Sequence, residues 1–388
     1  MGDKALNDSV APLGVAVVGC GSVSRHYLRT LRLFRILDVR YCCDLIPERA
    51  AERVRQFGLG VPSALDQALA DPAVEVIVNL TPPAAHATVT RQAVAAGKSV
   101  YVEKPFTTTA AEARELLALA SRNGALIACA PDTMLGRGVQ TARSVVADGR
   151  IGQPTAALAT MANAGHELWH PDPQYYYRPG AGPLWDMGPY YLSLLVTLLG
   201  PVRSVSADQM ISPRERRVAT GPRKGSRVRV ETPTTVMAVL DFASTALATL
   251  TCTFDAWATM VPCMEVYGTS GALQAADPNT FGGPVLVSAG GAGWHEVELV
   301  PGYAVERGIG VADLALAVRT GAAPRASAEL AVHVIDIMAA IGESATTRRN
   351  VPVPGSVQVP RPMPAELADY GWRGLGDGAE DARLAALS

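Results

Sequence analysis

From Leu13 to about Ala130 the chain alternates short, continuously apolar runs with amphipathic runs of helical period, and this alternation narrows the choice of fold more than any other feature. Strands apolar at every position need cover on both faces, so the pattern specifies a parallel sheet between two layers of helices. Strands are predicted at Gly14–Val18, Val39–Cys43, Val74–Leu80, Ser99–Val102 and Ala125–Cys129. One helix runs from Ala84 to Ala96 and stops at Gly97. Another opens on the capping box Thr109-Ala110-Ala111-Glu112 and ends near Gly124. This is the first half of a doubly wound α/β fold.

Beyond Pro131 the periodicity changes. A helix from about Gly136 to Asp148 leads into a strand near Thr155–Met161 and then a loop crowded with aromatics and prolines. Long β-type runs follow at Val228–Thr253, interrupted by Thr232-Pro233-Thr234, and at Cys263–Tyr267, with two closing helices near Gly310–Arg319 and Ala326–Ser344. A large, mostly antiparallel sheet fits these runs. The expected division is a nucleotide-binding domain over residues 1–131 and a second α/β domain over 132–388, the last fifteen or so residues forming a loose tail.

Composition removes several function classes. A net charge of -2 over 388 residues leaves no electrostatic footprint for nucleic acid or an anionic membrane. Met1 to Pro12 is polar, without an apolar signal core, and the apolar run Leu192–Leu199 is too short to span a bilayer. Cys20, Cys42, Cys43, Cys129, Cys252 and Cys263 form no C-x-x-C pair and read as reduced thiols of a cytoplasmic protein.

After the first strand comes Gly19-Cys20-Gly21-Ser22-Val23-Ser24, a G-x-G-x-x-S variant of the dinucleotide fingerprint. The first glycine permits a tight turn, the second admits a pyrophosphate, and the helix N-terminus offers free N–H groups to the anion. Asp44, at the end of the second strand, suits the adenosine ribose hydroxyls and repels a 2′-phosphate, so NAD is favoured over NADP. Arg49 could reach the adenine edge or a phosphate. Thr81 and Pro82 end the fourth strand at the same crevice, with His86 one turn into the next helix as a further cofactor contact.

The next strand ends in Glu103-Lys104-Pro105. Lys104 is one of four lysines against thirty arginines, and an ammonium, unlike a guanidinium, can change protonation state when partly buried. Together with the fingerprint, Asp44, Thr81-Pro82-Pro83, His86, Ile151-Gly152 and Gly182-x-x-x-Asp186-x-Gly188, this element resembles the glucose-fructose oxidoreductase / inositol dehydrogenase / MocA family over roughly residues 12 to 355.

The resemblance implies an N-terminal Rossmann domain and a C-terminal α/β domain whose open sheet forms a homodimer or homotetramer. It also implies hydride transfer between nicotinamide and a hydroxyl carbon of a sugar or cyclitol. Alternatives within the resemblance are an enzyme that retains NAD and cleaves glycosides by transient oxidation and elimination, and a non-catalytic dinucleotide sensor. The family's lysine bonds the reacting hydroxyl, and its D-x-G-x-H element sets an aspartate and a histidine one helical turn apart.

Here that element reads Asp186-Met187-Gly188-Pro189-Tyr190, with tyrosine for histidine. A phenol titrates near pH ~10, but a neighbouring ammonium lowers that value, so two readings stand: Tyr190 is the base with Lys104 beside it, or Lys104 is the base and Tyr190 shapes the pocket. Asp186 orients Lys104 or binds a neighbouring hydroxyl.

Seven aromatics between Trp169 and Tyr191, Tyr177 among them, suit stacking against the C–H face of a sugar. His166-Glu167-Leu168-Trp169-His170 matches H-E-x-x-H, yet Gly165, Pro171 and Pro173 deny it the helix that zinc binding requires, so no metal is expected. His166 and His170 are kept as substrate contacts. The basic stretch from Arg214 to Arg229 reads as a solvated hairpin or loop, with an anchor for an anionic substrate as the sharper reading.

Overall fold

Leu13–Val18 (β1) is buried at all six positions and forms the centre of a parallel sheet in the computed structural model, which describes residues 11–300 and 306–364. The other strands of this sheet are Leu37–Cys43 (β2), Val61–Ser63 (β3), Val76–Asn79 (β4), Ser99–Val102 (β5) and Ile127–Cys129 (β6), ordered β3-β2-β1-β4-β5-β6. All five pairings are parallel. The order reverses direction between β1 and β4, and in such sheets the crevice for a ligand opens there, beyond the carboxyl ends of the strands.

Helices Ser24–Leu31 (α1), Pro47–Phe57 (α2), Leu65–Ala70 (α3), Pro83–Ala95 (α4) and Ala110–Asn123 (α5) connect the strands. The capping box is realised: the Thr109 side chain accepts the N–H of Glu112, and α5 ends on left-handed Gly124. β3 had no visible signal, being three residues with no buried position at the sheet edge.

The chain divides into two compact units. The first runs to Arg137 and takes back the described residues up to Glu329 and from Pro360 onward; the second comprises Gly138–Leu299 and Leu330–Val359. The single cut expected near residue 131 therefore misses a return of the chain. That return is fastened by specific bonds. Buried Asp132 accepts the N–H groups of Gly308 (2.7 Å) and Gly310 (3.1 Å), and Arg319 pairs with Glu75 through two contacts of 2.6 and 2.7 Å. Arg319 lies on Ile309–Thr320, a helix of the first unit.

In the second unit, Pro154–Ala162 (β7), Val202–Met210 (β8), Glu215–Arg217 (β9), Arg227–Arg229 (β10), Thr235–Phe242 (β11), Leu247–Thr253 (β12), Met264–Gly268 (β13), Gly271–Gln274 (β14), Leu286–Ala289 (β15), His295–Glu296 (β16) and Val351–Pro352 (β17) supply the strands. Nine of them form one sheet, β16-β15-β14-β13-β7-β12-β11-β8-β17, antiparallel except where β12 meets β7. β9 and β10 make a separate hairpin. Arg137–Ala147 (α6) and Pro183–Leu199 (α7) precede most of these strands, Ile309–Thr320 (α8) belongs to the first unit, and Ala328–Thr347 (α9) closes the second. By length and composition α9 could cross a membrane, but 67% of its most apolar window is buried inside the fold. The loose tail and most of Met1–Pro12 lie outside the described residues.

His333, buried on α9, accepts the N–H of Val202 through Nε2 at 3.0 Å, which a protonated ring cannot do. Burial pushes its pKa from 6.5 down to about 4. The unfolded chain then takes up this proton first as pH falls, so the site's contribution is complete above pH 6.5 and disappears between 6.5 and 4. Denaturant unfolding should therefore lose roughly 2–3 kcal/mol between pH 7 and pH 4.5 from this group. His333→Gln, which keeps a carbonyl for Val202, should flatten that loss. An unchanged pH slope in the variant would refute the assignment.

Candidate functional site

The loop after β1 is built to approach an anion. At Gly19 the backbone takes φ +96°, and a Cβ would lie 2.6 Å from the carbonyl of Leu80, so only glycine fits. The Gly19 N–H donates to Cys43 O (2.8 Å), tying the loop to β2. Asp44 accepts the Cys20 N–H on one oxygen and the Ile46 N–H on the other, both at 2.8 Å. Each carboxylate oxygen keeps a second lone pair, which suits a ribose hydroxyl. A Cβ at Gly21 would meet nothing within 4 Å, so the space over the loop is open to a pyrophosphate, and Ser22 and Val23 lead from there into α1. Arg49 is exposed on α2.

Ser24 stands where the fingerprint usually has its third glycine. Its hydroxyl donates to Gly21 O (2.7 Å) and accepts Nε of Arg53 (3.1 Å), while Nη2 of Arg53 reaches Gly21 O at 3.4 Å. Arg53 is buried, and no motif announces it. A signal exists in the spacing: Ala50, Arg53 and Phe57 form the buried face of α2, so a cation occupies a core position.

Beyond β4, Thr81 donates its N–H (3.3 Å) and hydroxyl (2.6 Å) to the side-chain oxygen of buried Asn79, whose amide donates to His86 O (3.0 Å) and Thr90 Oγ1 (3.2 Å). Pro82 is exposed at this turn. His86 is not available for a direct polar contact with a cofactor: its ring is buried, with Nδ1 2.6 Å from Pro105 O and Nε2 2.8 Å from Thr81 O. It clamps the turn after β4 to the turn after β5. Burial lowers its pKa, and the two carbonyls act in the opposite direction. Only the imidazolium can donate to both.

At the end of β5, buried Glu103 accepts the Tyr27 hydroxyl (2.9 Å) on one oxygen and the N–H of Lys104 (2.8 Å) on the other. A cis peptide joins Lys104 to Pro105, and Lys104 is half-buried.

In the second unit Asp186 lies in the first turn of α7, and Tyr190, one turn on, is buried. Nε2 of His166 stands 3.0 Å from Oδ2 of Asp186. His166 opens a single 3₁₀ turn after β7, positioned by Gly165 at φ +102°, where a Cβ would collide with Arg216, Glu167 and Tyr177. Its ring packs against Trp169, Tyr176 and Phe254, with centroids 5.0, 4.0 and 4.6 Å away. His170 turns to other partners: it receives the Asp172 N–H on Nδ1 and meets Trp169 and Tyr176 edge-on.

Tyr177, expected against the substrate, is fully buried. Its hydroxyl donates to Glu167 and accepts the N–H of His166 (3.1 Å), so it supports the histidine turn from within. Burial and the bond to Glu167 push this phenol well above its ordinary range. Arg216 donates to Glu167 (2.9 Å), to Asp255 and to the carbonyl of Phe254 (3.0 Å). The basic stretch is thus a hairpin with one arginine turned into the core. Arg223, Arg227 and Arg229 pair outside with Asp172, Glu215 and Glu231.

Two family models match: the NAD-binding Rossmann fold of an oxidoreductase family over residues 13–130, and the GFO/IDH/MocA C-terminal domain over residues 139–274. The chain belongs to the GFO/IDH/MocA family. Among curated relatives, an uncharacterised oxidoreductase of Schizosaccharomyces pombe is 31% identical over 43% of this chain and 48% of its own length. Inositol 2-dehydrogenase of Salmonella paratyphi B is 26% identical over 43% and 51%. The chain thus spans about half the length of the first curated relatives it matches. A levoglucosan dehydrogenase solved with NADH and L-sorbose has the same fold, with TM-score 0.77, 22% identity, and coverage of 89% of this chain and 100% of that one.

With the fold family established, the open loop over Gly21, the acceptor Asp44 and the clamped turns after β4 and β5 fit a dinucleotide. His86→Leu removes the donor shared by the half-buried carbonyls of Thr81 and Pro105 and so unfastens the clamp. It should lower the melting temperature and raise the NADH Kd about tenfold or more by fluorescence titration. Unchanged NADH affinity would mean the clamp does not govern the cofactor site.

Proposed function

We propose that this chain is an NAD-dependent oxidoreductase that moves a hydride between nicotinamide and a secondary hydroxyl, or the matching ketone, of a sugar or cyclitol in the cytoplasm. The observation that carries the reading is the Glu103-Lys104-Pro105 turn: a half-buried ammonium at the carboxyl end of a nucleotide-type sheet, with its backbone held by a buried carboxylate. Bound NAD supplies the hydride acceptor, or in reverse the donor. The backbone N–H groups of Gly21, Ser22 and Val23 would hold the pyrophosphate, since those of Gly19 and Cys20 are spent on Cys43 and Asp44, and Asp44 would take the ribose hydroxyls, where a 2′-phosphate would meet its charge. Lys104 hydrogen-bonds the reacting oxygen and stabilises negative charge developing on it. Half-exposed Trp169, Tyr175 and Tyr176 offer ring faces to the C–H face of a polyol.

Absorbance at the nicotinamide band tests this reading, with NAD and NADP each run against a panel of sugars, glycosides and cyclitols. NAD-dependent reduction with at least one polyol is expected, with NADP weaker and Lys104→Ala down by roughly 10²-fold or more. Turnover that survives Lys104→Ala undiminished would overturn the catalytic role of the lysine.

We also propose assembly as a homodimer or homotetramer through the large sheet. Along β11, Val236, Ala238 and Leu240 point inward, while Met237 and Val239 are exposed on the opposite face beside Leu247 of β12. Apolar side chains at successive outward positions suit a covered face. Met237→Lys with Val239→Lys should reduce the mass measured by light scattering to that of one chain. A wild-type protein that is already monomeric would refute the assembly.

A further inference from the structure

We infer that His166 is the group that exchanges the hydroxyl proton, with Asp186 as the residue that positions its ring. The imidazole absent from position 190 is then supplied by the turn after β7. This inference rests on the oxidoreductase reading and deepens it.

An ionised carboxylate only accepts hydrogen bonds, so the 3.0 Å contact with Asp186 places a hydrogen on Nε2 of His166. In the neutral ring Nδ1 is then a bare lone pair, the form a proton acceptor requires. Nδ1 is buried and has no hydrogen-bond partner in the described structure. The side chain is 6% exposed. A buried polar nitrogen without a partner is costly to leave unmade, which is reasonable where a substrate hydroxyl completes the set.

The ring is also held in place. Its backbone N–H is fixed on the Tyr177 hydroxyl, the turn is set by Gly165, and Trp169, Tyr176 and Phe254 surround the imidazole. The charges around it come from several elements. Asp186 faces it from α7, Glu167, His170 and Tyr177 share its loop, Arg216 reaches in from β9, and Asp255 follows β12. Arg216 pairs with both Glu167 and Asp255, so those two carboxylates are already matched by a cation.

The chemistry balances. In oxidation by nicotinamide the C–H bond would break with its electron pair and the carbon become a carbonyl, the O–H pair would form the C=O bond, and the proton would pass to Nδ1 of His166. Reduction of the ketone returns it. A free imidazole takes and gives a proton near neutral pH, whereas a free phenol does so near ~10. The carboxylate–imidazole pair stabilises the imidazolium that forms and fixes the tautomer before it does.

The test uses the full chain with NAD and a polyol it oxidises, comparing wild type with His166→Gln, Asp186→Asn and Tyr190→Phe. His166→Gln should lower kcat/KM by roughly 10²–10⁴-fold and abolish the acidic limb of its pH profile, while NADH affinity stays within about twofold. Asp186→Asn should shift that limb and reduce kcat, and Tyr190→Phe should keep the limb. Imidazole ¹⁵N spectra of the wild type give a readout independent of turnover, and should show His166 as the Nε2–H tautomer. If His166→Gln is unstable, His166→Asn and these spectra decide. Wild-type turnover that survives in either histidine variant with the acidic limb intact, or an Nδ1–H tautomer, overturns the inference and leaves the oxidoreductase reading standing. A wild type that reduces nicotinamide with no polyol overturns the reading itself.

Discussion

Glu103 is a carboxylate removed from water, and its two bonds decide what the first unit can do. An unpaired buried charge costs several kcal/mol, so a carboxylate at this depth persists only where donors meet it. Here the donors are the Tyr27 hydroxyl, from the helix that follows the glycine loop, and the N–H of Lys104. One buried charge thus ties α1 to Lys104. Displacing either donor would strand the charge. His86 makes a second tie at the same level, between the turns after β4 and β5.

The second unit reaches the same result with the opposite sign. Arg216 is 5% exposed and lies against Glu167 and Asp255, and Asp255 also accepts the hydroxyls of Thr234 (2.7 Å) and Thr235 (2.8 Å). Glu167 in turn takes the Tyr177 hydroxyl, which receives the N–H of His166. The histidine turn therefore hangs from a buried polar network rather than from a helix. A one-turn 3₁₀ segment has little stability of its own, so its precision has to come from these bonds.

How much of this was legible in the sequence follows from the range of each interaction. The parallel sheet was readable because burial on both faces leaves a local mark, an apolar run, and the capping of α5 because Thr109 and Glu112 are three residues apart. The glycine loop, Asp44 and Lys104 were readable from spacing and residue type. β3 was not, since three edge residues with none buried carry no burial signal. The return of the chain through α8 was not, since its anchors, Asp132 to Gly308 and Glu75 to Arg319, join residues far apart in sequence. Arg216 was hidden for a similar reason. It sits in a basic stretch in which Arg223, Arg227 and Arg229 pair outside, and its inward position on β9 sets it apart. Tyr177 and His86, expected at the substrate and the cofactor, spend their polar atoms on protein partners instead, and residue type alone cannot tell a side chain that faces a ligand from one that braces the loop beneath it.

The D-x-G-x-Tyr element shows the same limit at its sharpest. A motif records which side chains share a helical face, and at Asp186 and Tyr190 that record is accurate as far as it goes. The partner that reaches the aspartate comes instead from twenty residues upstream, in a string that resembles a zinc motif and lacks the helix for it. Chemistry constrains the spatial pair, a carboxylate accepting from an imidazole whose far nitrogen is unpartnered. It does not constrain which element supplies the ring. Moving the ring from helix to turn exchanges backbone rigidity for dependence on Tyr177, Glu167 and Arg216. The network that looks purely structural is then what sets where the His166 ring stands.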